Sequence, residues 1–431
     1  MAQQSAPQPT SRLERLLLVA SAGLMPLEDH IPPIAGFSVM FFVFGILASY
    51  VLLSRHRFLF KTWTHPVFLT GYGLLFLAYL LESSHPDASY VEIVSIGQML
   101  AGGVFVACIC RDQRALRSCL YGYLIAGLAL SIFLFLTSYG ALQGATASDY
   151  AQADLIRAQV FRAQSFNINL NTMAFFTAQG TVVALVFALT AGSAFRRHLF
   201  FALAALCAIA SFLPFSRGGI VIVVVSSAIV IFVYGIQGGK HFARFKRAIT
   251  LSIVLGIVIL IWVPEAVFSR LTFSTEAHEG TMEGRAKVYT AALEHLPDYV
   301  LAGVGEGQFW GTWGFRSKFA ASYGISGAHN GFIQVTIYWG VVALLILLGI
   351  VYQAYRCLPK RCGAIASGLH LLGVSVALLL YMMVNHGLAF KGFALGLGTL
   401  VGARLWIWPR VIIRQTPQWQ MFARPPARPV S

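Results

Sequence analysis

Ser216-Arg217-Gly218-Gly219-Ile220-Val221-Ile222-Val223-Val224-Val225-Ser226-Ser227-Ala228-Ile229-Val230-Ile231-Phe232-Val233-Tyr234-Gly235 decides the fold class, because no charged side chain follows Arg217 until Lys240. An α-helix rises about 1.5 Å per residue, so roughly 20 such residues cross the ~30 Å hydrocarbon core of a bilayer. Similar runs recur on both sides of this one along nearly the whole chain. Hydrophobic residues make up 57% and charged residues 11% of the 431, with a mean hydropathy of +0.72, far outside the range of a soluble globular protein. Alternating strands of about ten residues, the mark of a membrane barrel, are absent from the pattern.

The chain therefore reads as an all-α polytopic membrane protein, a single integral-membrane domain over 1–431. Its spans are expected near 14–28, 34–54, 63–82, 88–110, 115–138, 166–193, 196–214, 218–235, 244–263, 329–355, 363–388 and 390–408, twelve in all. The first resembles a signal sequence, since Arg12 and Arg15 precede a short apolar stretch and Ala20-Ser21-Ala22 is a weak cleavage site. It is kept as a span because removing it upsets the charge pattern. Short loops rich in Lys and Arg stay in the cytoplasm. With both termini inside, the inner segments carry 22 of the 31 basic residues but only Glu14 and Asp112 among the 16 acidic ones. A net charge of +15 dispersed over inner loops is a topology signal rather than a nucleic-acid groove. The Pro-Arg-rich end, 409–431, reads as a disordered cytoplasmic tail.

Two outer loops exceed what connection requires, one from about Tyr139 to Ser165 and a larger one over 264–328. Within the larger loop a helix is expected from Met282 to Leu296, with Arg285, Tyr289 and Leu293 on one face, stopped by Pro297. A flexible, aromatic-studded turn follows, Gly303-Val304-Gly305-Glu306-Gly307-Gln308-Phe309-Trp310-Gly311. No βαβ unit surrounds it, so it is not a dinucleotide loop. No phosphate-binding Gly-x4-Gly-Lys-Ser/Thr loop supplies ATP, so any chemistry takes its energy elsewhere. The six cysteines fall at inner helix ends or within a helix, so no disulfide is expected, and Cys108-x-Cys110 lacks the partners of a zinc site.

Nine basic residues run against the topology rule: Arg157, Arg162, Arg217, Arg270, Arg285, Lys287, Arg316, Lys318 and Lys391. Arg217 stands at the outer end of a helix, followed by two glycines that let a ligand or another backbone approach closely. It either snorkels to headgroups or grips an anion. Arg285 either pairs with acids such as Glu283 on a solvated face or joins that grip. His329, in Ala328-His329-Asn330-Gly331, opens a span, where the helix N-terminus keeps an imidazole neutral and fit to act as a base. A structural histidine at a membrane edge is the other reading. Two guanidiniums hold a diphosphate bidentately and neutralise a leaving group without a divalent metal. The outer face carries no Asp-x-Asp pair for a metal-dependent alternative.

Ser216-Arg217-Gly218-Gly219, Gly284-Arg285-x3-Tyr289, Gly303-x-Gly305-x-Gly307-x-Phe309 and Ala328-His329-Asn330 leading to Trp339-Gly340, in this order, resemble the O-antigen ligase and polymerase superfamily (WaaL and Wzy). The resemblance implies a glycosyltransferase of the bacterial inner membrane whose active site faces the periplasm. It moves a glycan from undecaprenyl diphosphate to lipid A-core oligosaccharide, completing lipopolysaccharide, with inversion and without a metal or other cofactor. It also implies His329 as general base and Arg217 and Arg285 as the diphosphate clamp. Arg157, Arg162, Ser216, Tyr289 and Asn330 are candidate substrate contacts. Tyr289, Phe309, Trp310 and Trp313 either stack on sugars or pack the loop.

The single large loop after the ninth span favours the ligase branch. A polymerase is the second reading and a protein O-oligosaccharyltransferase the third. A proton-coupled transporter is a different class, and would use Glu82, Glu92, His370 and His386, residues that their spacing does not pair.

Overall fold

Helices form where the apolar runs predict them. The computed structural model describes residues 9–27, 39–85, 88–142, 170–214, 216–237, 296–306, 330–360, 362, 366–384 and 392–409, and all regular structure among them is helical. The helices are α1 (Arg12–Gly23), α2 (Val39–Ser54), α3 (His56–Trp63), α4 (Pro66–Glu82), α5 (Val91–Ile109), α6 (Gln113–Leu142), α7 (Leu170–Thr190), α8 (Ala194–Ala210), α9 (Arg217–Gln237), α10 (Leu296–Tyr299), α11 (Gly331–Arg356), α12 (Ala366–Val384) and α13 (Gly392–Gly402), the last running into a π-turn at Ala403–Ile407. Eleven of the expected spans have a helix in place, and the one expected at 244–263 lies outside the described residues. By length and hydropathy, α5, α6, α7, α9, α11 and α12 are each able to cross a membrane. The chain is an all-α polytopic membrane protein.

The centre of the bundle is α7, whose window Thr172–Thr190 is wholly buried among α6, α8, α9 and α12. Lipid offers no hydrophobic force to drive helices together, so close backbone approach through small residues does this work. A Cβ on Gly127 of α6 would lie 2.7 Å from the Cα of Gly180 on α7. One on Gly219 of α9 would collide with Ala174 of α7. Thus the second glycine after Arg217 serves a neighbouring helix.

Three local features depart from the sequence reading. The chain bends by 111° after α2 into α3, where a loop was expected. Phe58 and Thr62 face the protein while Arg57, Phe60, Lys61 and Trp63 are exposed, the amphipathic pattern of a helix lying along a membrane surface. Pro297 falls inside the first turn of a short helix, α10, that the sequence did not predict, because a residue without an amide hydrogen is tolerated where that amide needs no partner. The predicted helix over 282–296 lies outside the described residues except for Leu296. Finally, α11 breaks at Gly340, which adopts φ 78° and ψ −178°.

Polar contacts gather at the two ends of the bundle. At one end, Glu14 of α1, 0% exposed, bonds Arg55 at 2.7 Å and Arg111 at 2.8 Å. Asp112 accepts from the Thr10 backbone amide and hydroxyl, and Trp408 donates to the carbonyl of Cys357. These residues all belong to segments that the charge pattern assigns to one side. All six cysteines are free and buried, in line with the absence of an expected disulfide.

Candidate functional site

The opposite end holds the starts of α9 and α11, where two of the sequence motifs fall. Ser216 precedes α9 and its Oγ accepts from the Gly219 amide at 3.2 Å, so this buried serine caps the helix that Arg217 begins. An N-cap of this kind contributes about 1 kcal/mol and leaves the positive end of the helix dipole beside position 217. Asn330 caps α11 in the same manner. Its Oδ1 accepts from Phe332 at 3.0 Å and Ile333 at 3.2 Å. Of the five candidate substrate contacts, the two described ones, Ser216 and Asn330, thus have capping roles. Arg157, Arg162, Arg285, Tyr289 and His329 lie outside the described residues.

At this end α9 meets α7 and α7 meets α12, while α5 meets α11, with a cavity between the two groups. Ala174 of α7 touches Gly219, and Thr172 of the same helix shares a 3.0 Å hydrogen bond with Tyr381 near the end of α12. Met382 of α12 and Ile96 of α5 line one cavity of ≈ 180 Å³. Leu74 of α4, Leu347 of α11 and Phe393 of α13 line it too, and the hydroxyl of Ser375 there is spent on the carbonyl of Leu371 at 2.6 Å. The cavity presents hydrocarbon almost throughout. From α5, Glu92 reaches α11 through Gln334 Nε2 at 3.5 Å.

The described part of the turn expected to be flexible, Gly303 to Glu306, is bonded into the break of α11. With Gly340 out of helical geometry, Val341 donates to Val300 at 2.6 Å, and the carbonyl of Ile337, whose helical partner would be that amide, accepts from Val304 at 2.8 Å. Gly305 donates to the carbonyl of Tyr338 at 3.0 Å. Glycine is required here for two reasons. Gly303 and Gly305 have φ of 77° and 80°, and a Cβ on Gly303 would strike Tyr338, as one on Gly340 would strike Leu301.

Three carboxylates close over this junction. Glu82, the last residue of α4, is 0% exposed. It accepts from Ser89 at 2.9 Å through Oε1, and from the Glu306 amide at 2.8 Å and Trp339 Nε1 at 3.3 Å through Oε2. Glu306 Oε2 in turn accepts from the Glu92 amide at 3.1 Å, where Tyr90 offers α5 no side-chain cap. A carboxylate at that helix start gains from the dipole. Burial pushes the Glu306 carboxyl above its ordinary range, and the nearby Glu82 adds to the shift. Glu82 and Glu92, which spacing left unpaired, therefore meet through a third acid 214 residues along the chain from Glu92. His370 stands apart from them on α12, with Nδ1 2.8 Å from the carbonyl of Ala366 and its ring against Phe187. His386 lies outside the described residues. No cluster able to hold a metal ion occurs among the described residues.

Fold and polar ends together define a polytopic helical membrane protein with one elaborated end. Residues 199–348 match the O-antigen ligase family, in agreement with the superfamily resemblance of its motifs. Such a domain is that of a glycosyltransferase-like enzyme. A comparison with curated proteins gives no match.

Proposed function

We propose that the chain is an O-antigen ligase. It transfers a glycan from undecaprenyl diphosphate to lipid A-core oligosaccharide at the periplasmic face of the bacterial inner membrane, with both termini in the cytoplasm. The observation that carries this reading is the extent of the family match, since 199–348 includes Arg217, Arg285 and His329 together. In the proposed step His329 takes the proton of an acceptor sugar hydroxyl as its oxygen attacks the anomeric carbon with inversion. The bond from that carbon to the diphosphate breaks, and undecaprenyl diphosphate leaves with the electron pair, its charge neutralised by Arg217 and Arg285. A positioned base contributes typically 10²–10⁴-fold, and clamping the developing anion contributes comparably. Arg157, Arg162 and Tyr289 are proposed to contact donor or acceptor. Ser216 and Asn330 support the site as the caps that start its two helices. The hydrocarbon-lined cavity suits an isoprenoid or acyl chain.

The test is transfer by the purified protein from undecaprenyl-diphosphate glycan to lipid A-core in the presence of a chelator. Glycan should appear on lipid A-core, and His329→Ala or Arg217→Ala should abolish it. Arg217→Lys, which keeps the charge but loses the bidentate fork, should also fail in folded protein. Product growing on the carrier lipid overturns the ligase reading in favour of a polymerase, and a requirement for added magnesium overturns the metal-independent mechanism.

A further inference from the structure

The carboxylate of Glu82 and the segment Gly303-Val304-Gly305-Glu306 have no part in the proposed chemistry, yet they form a polar junction that ties three parts of the chain together. Three features of the junction need one another. The break at Gly340 withdraws the Val341 amide from its helical partner, and only the 300–305 segment replaces the lost bonds. That segment keeps its place only while Gly303 and Gly305 hold positive φ and the Glu306 amide has an acceptor. The acceptor is Glu82, which at the same time receives the indole N–H of Trp339, the residue just before the break. Nothing in the local sequence demands this acid at the end of α4, where the helix dipole disfavours a negative charge. Its three donors, from 89, 306 and 339, make it the common anchor of α4, the loop segment and α11.

We propose that Glu82 is a positioning residue for the transfer reaction. By seating the Gly303–Glu306 segment in the break at Gly340, it sets the rotation and depth of the first two turns of α11, the helix that Asn330 caps and that His329 immediately precedes. This rests on the ligase reading, in which His329 is the base. A carboxylate is needed because its two oxygens accept all three donors. An amide at the same place has one oxygen, and its NH2 would face a donor. In the same turns Gln334, 4% exposed, has Oε1 free of any partner among the described residues, so that side chain adds only its Nε2 bonds to what holds α11 in place. Loss of the Glu82 anchor therefore frees these turns to shift.

The experiment uses the full chain in lipid nanodiscs, with hydrogen exchange of the 331–341 amides measured beside transfer kinetics for wild type, Glu82→Gln and Glu82→Asp. Glu82→Gln should speed exchange in 331–341 and lower kcat roughly 10–100-fold with KM for the donor unchanged, since misplacement of a reacting group costs on that order. Glu82→Asp, which keeps both acceptor oxygens, should restore part of kcat. Trp339→Phe removes one donor only and should fall between. Unchanged exchange in folded Glu82→Gln overturns the Glu82 anchor whatever the activity. Faster exchange with unchanged kcat, or a loss confined to KM, overturns the positioning role. A wild-type protein that makes no glycolipid refutes the ligase reading and the positioning role with it, while the exchange data still decide the Glu82 anchor.

Discussion

Gly340 shows how one residue governs the end of the bundle where α11 starts. Its φ of 78° is a conformation that L side chains rarely adopt, and a Cβ there would run into the carbonyl of Leu301. Gly340→Ala cannot relax by resuming an ordinary helix without expelling the 300–305 segment from its bonds with Ile337, Tyr338 and Val341. Holding a non-glycine residue in such a region costs about 1–3 kcal/mol, before the collision is counted. The expected result is a marked drop in thermal midpoint and loss of transfer activity, read by thermal unfolding in detergent. Gly45, with open space around it, should tolerate the same change with little loss of stability beyond small packing terms. If Gly340→Ala unfolds at the wild-type temperature, the break is not a fixed part of the fold.

Among the elements, the starts of helices carry the informative chemistry. Asp112 caps α6 by accepting from the Ala115 amide at 2.8 Å, and its other oxygen holds Thr10, just before α1. Burial alone would raise this carboxyl, but the hydrogen bonds from Thr10 and Ala115 outweigh it and keep the group below the ordinary aspartate range. A depressed carboxyl stabilises the fold above the unfolded-state value and loses that contribution as pH falls through the folded one. Stability should therefore decline as pH drops below the usual aspartate range, and Asp112→Asn should flatten that part of the profile while lowering the midpoint at neutral pH. Thermal unfolding across a pH series checks both. The helices themselves were legible because an unbroken apolar run leaves the chain little else to become. The bend into α3, the break in α11 and the meeting of Glu82 with Glu306 were not legible. Each depends on partners far apart in sequence, 224 residues for the last pair, and an acid at a span's end looks the same alone or as an anchor. Ser216 and Asn330 stood out as polar residues beside the motifs, and their bonds show helix caps, a role that the positions already allowed.

At the scale of the whole molecule, the bundle is tied at both ends by acids that accept from several helices, and the two ties should be separable. Glu14 pairs with Arg55 and with the 1% exposed Arg111, whose guanidinium also lies 4.6 Å from the ring centre of Phe58 on α3. This joins α1, the α2–α3 bend and the α5–α6 connection. Glu82 joins α4, the loop segment and α11 at the far end. Removing one partner of a buried ion pair typically costs about 3–5 kcal/mol, because the charge left behind has lost its solvent and its partner together. Glu14→Gln should therefore lower thermal stability by an amount of that order. The fraction that remains folded should keep the wild-type kcat and KM and wild-type exchange in 331–341, since among the described residues Glu14 bonds none at the Glu82 end. Glu82→Gln should show the converse, a smaller thermal loss with a large fall in kcat. Measuring unfolding, kinetics and exchange on the two variants and their double mutant separates the ends. Independent ties give additive thermal losses within about 0.5 kcal/mol. A coupling well above that, or a kcat defect in Glu14→Gln, means that strain passes through α4 and α5 and that the candidate site is set by the whole bundle.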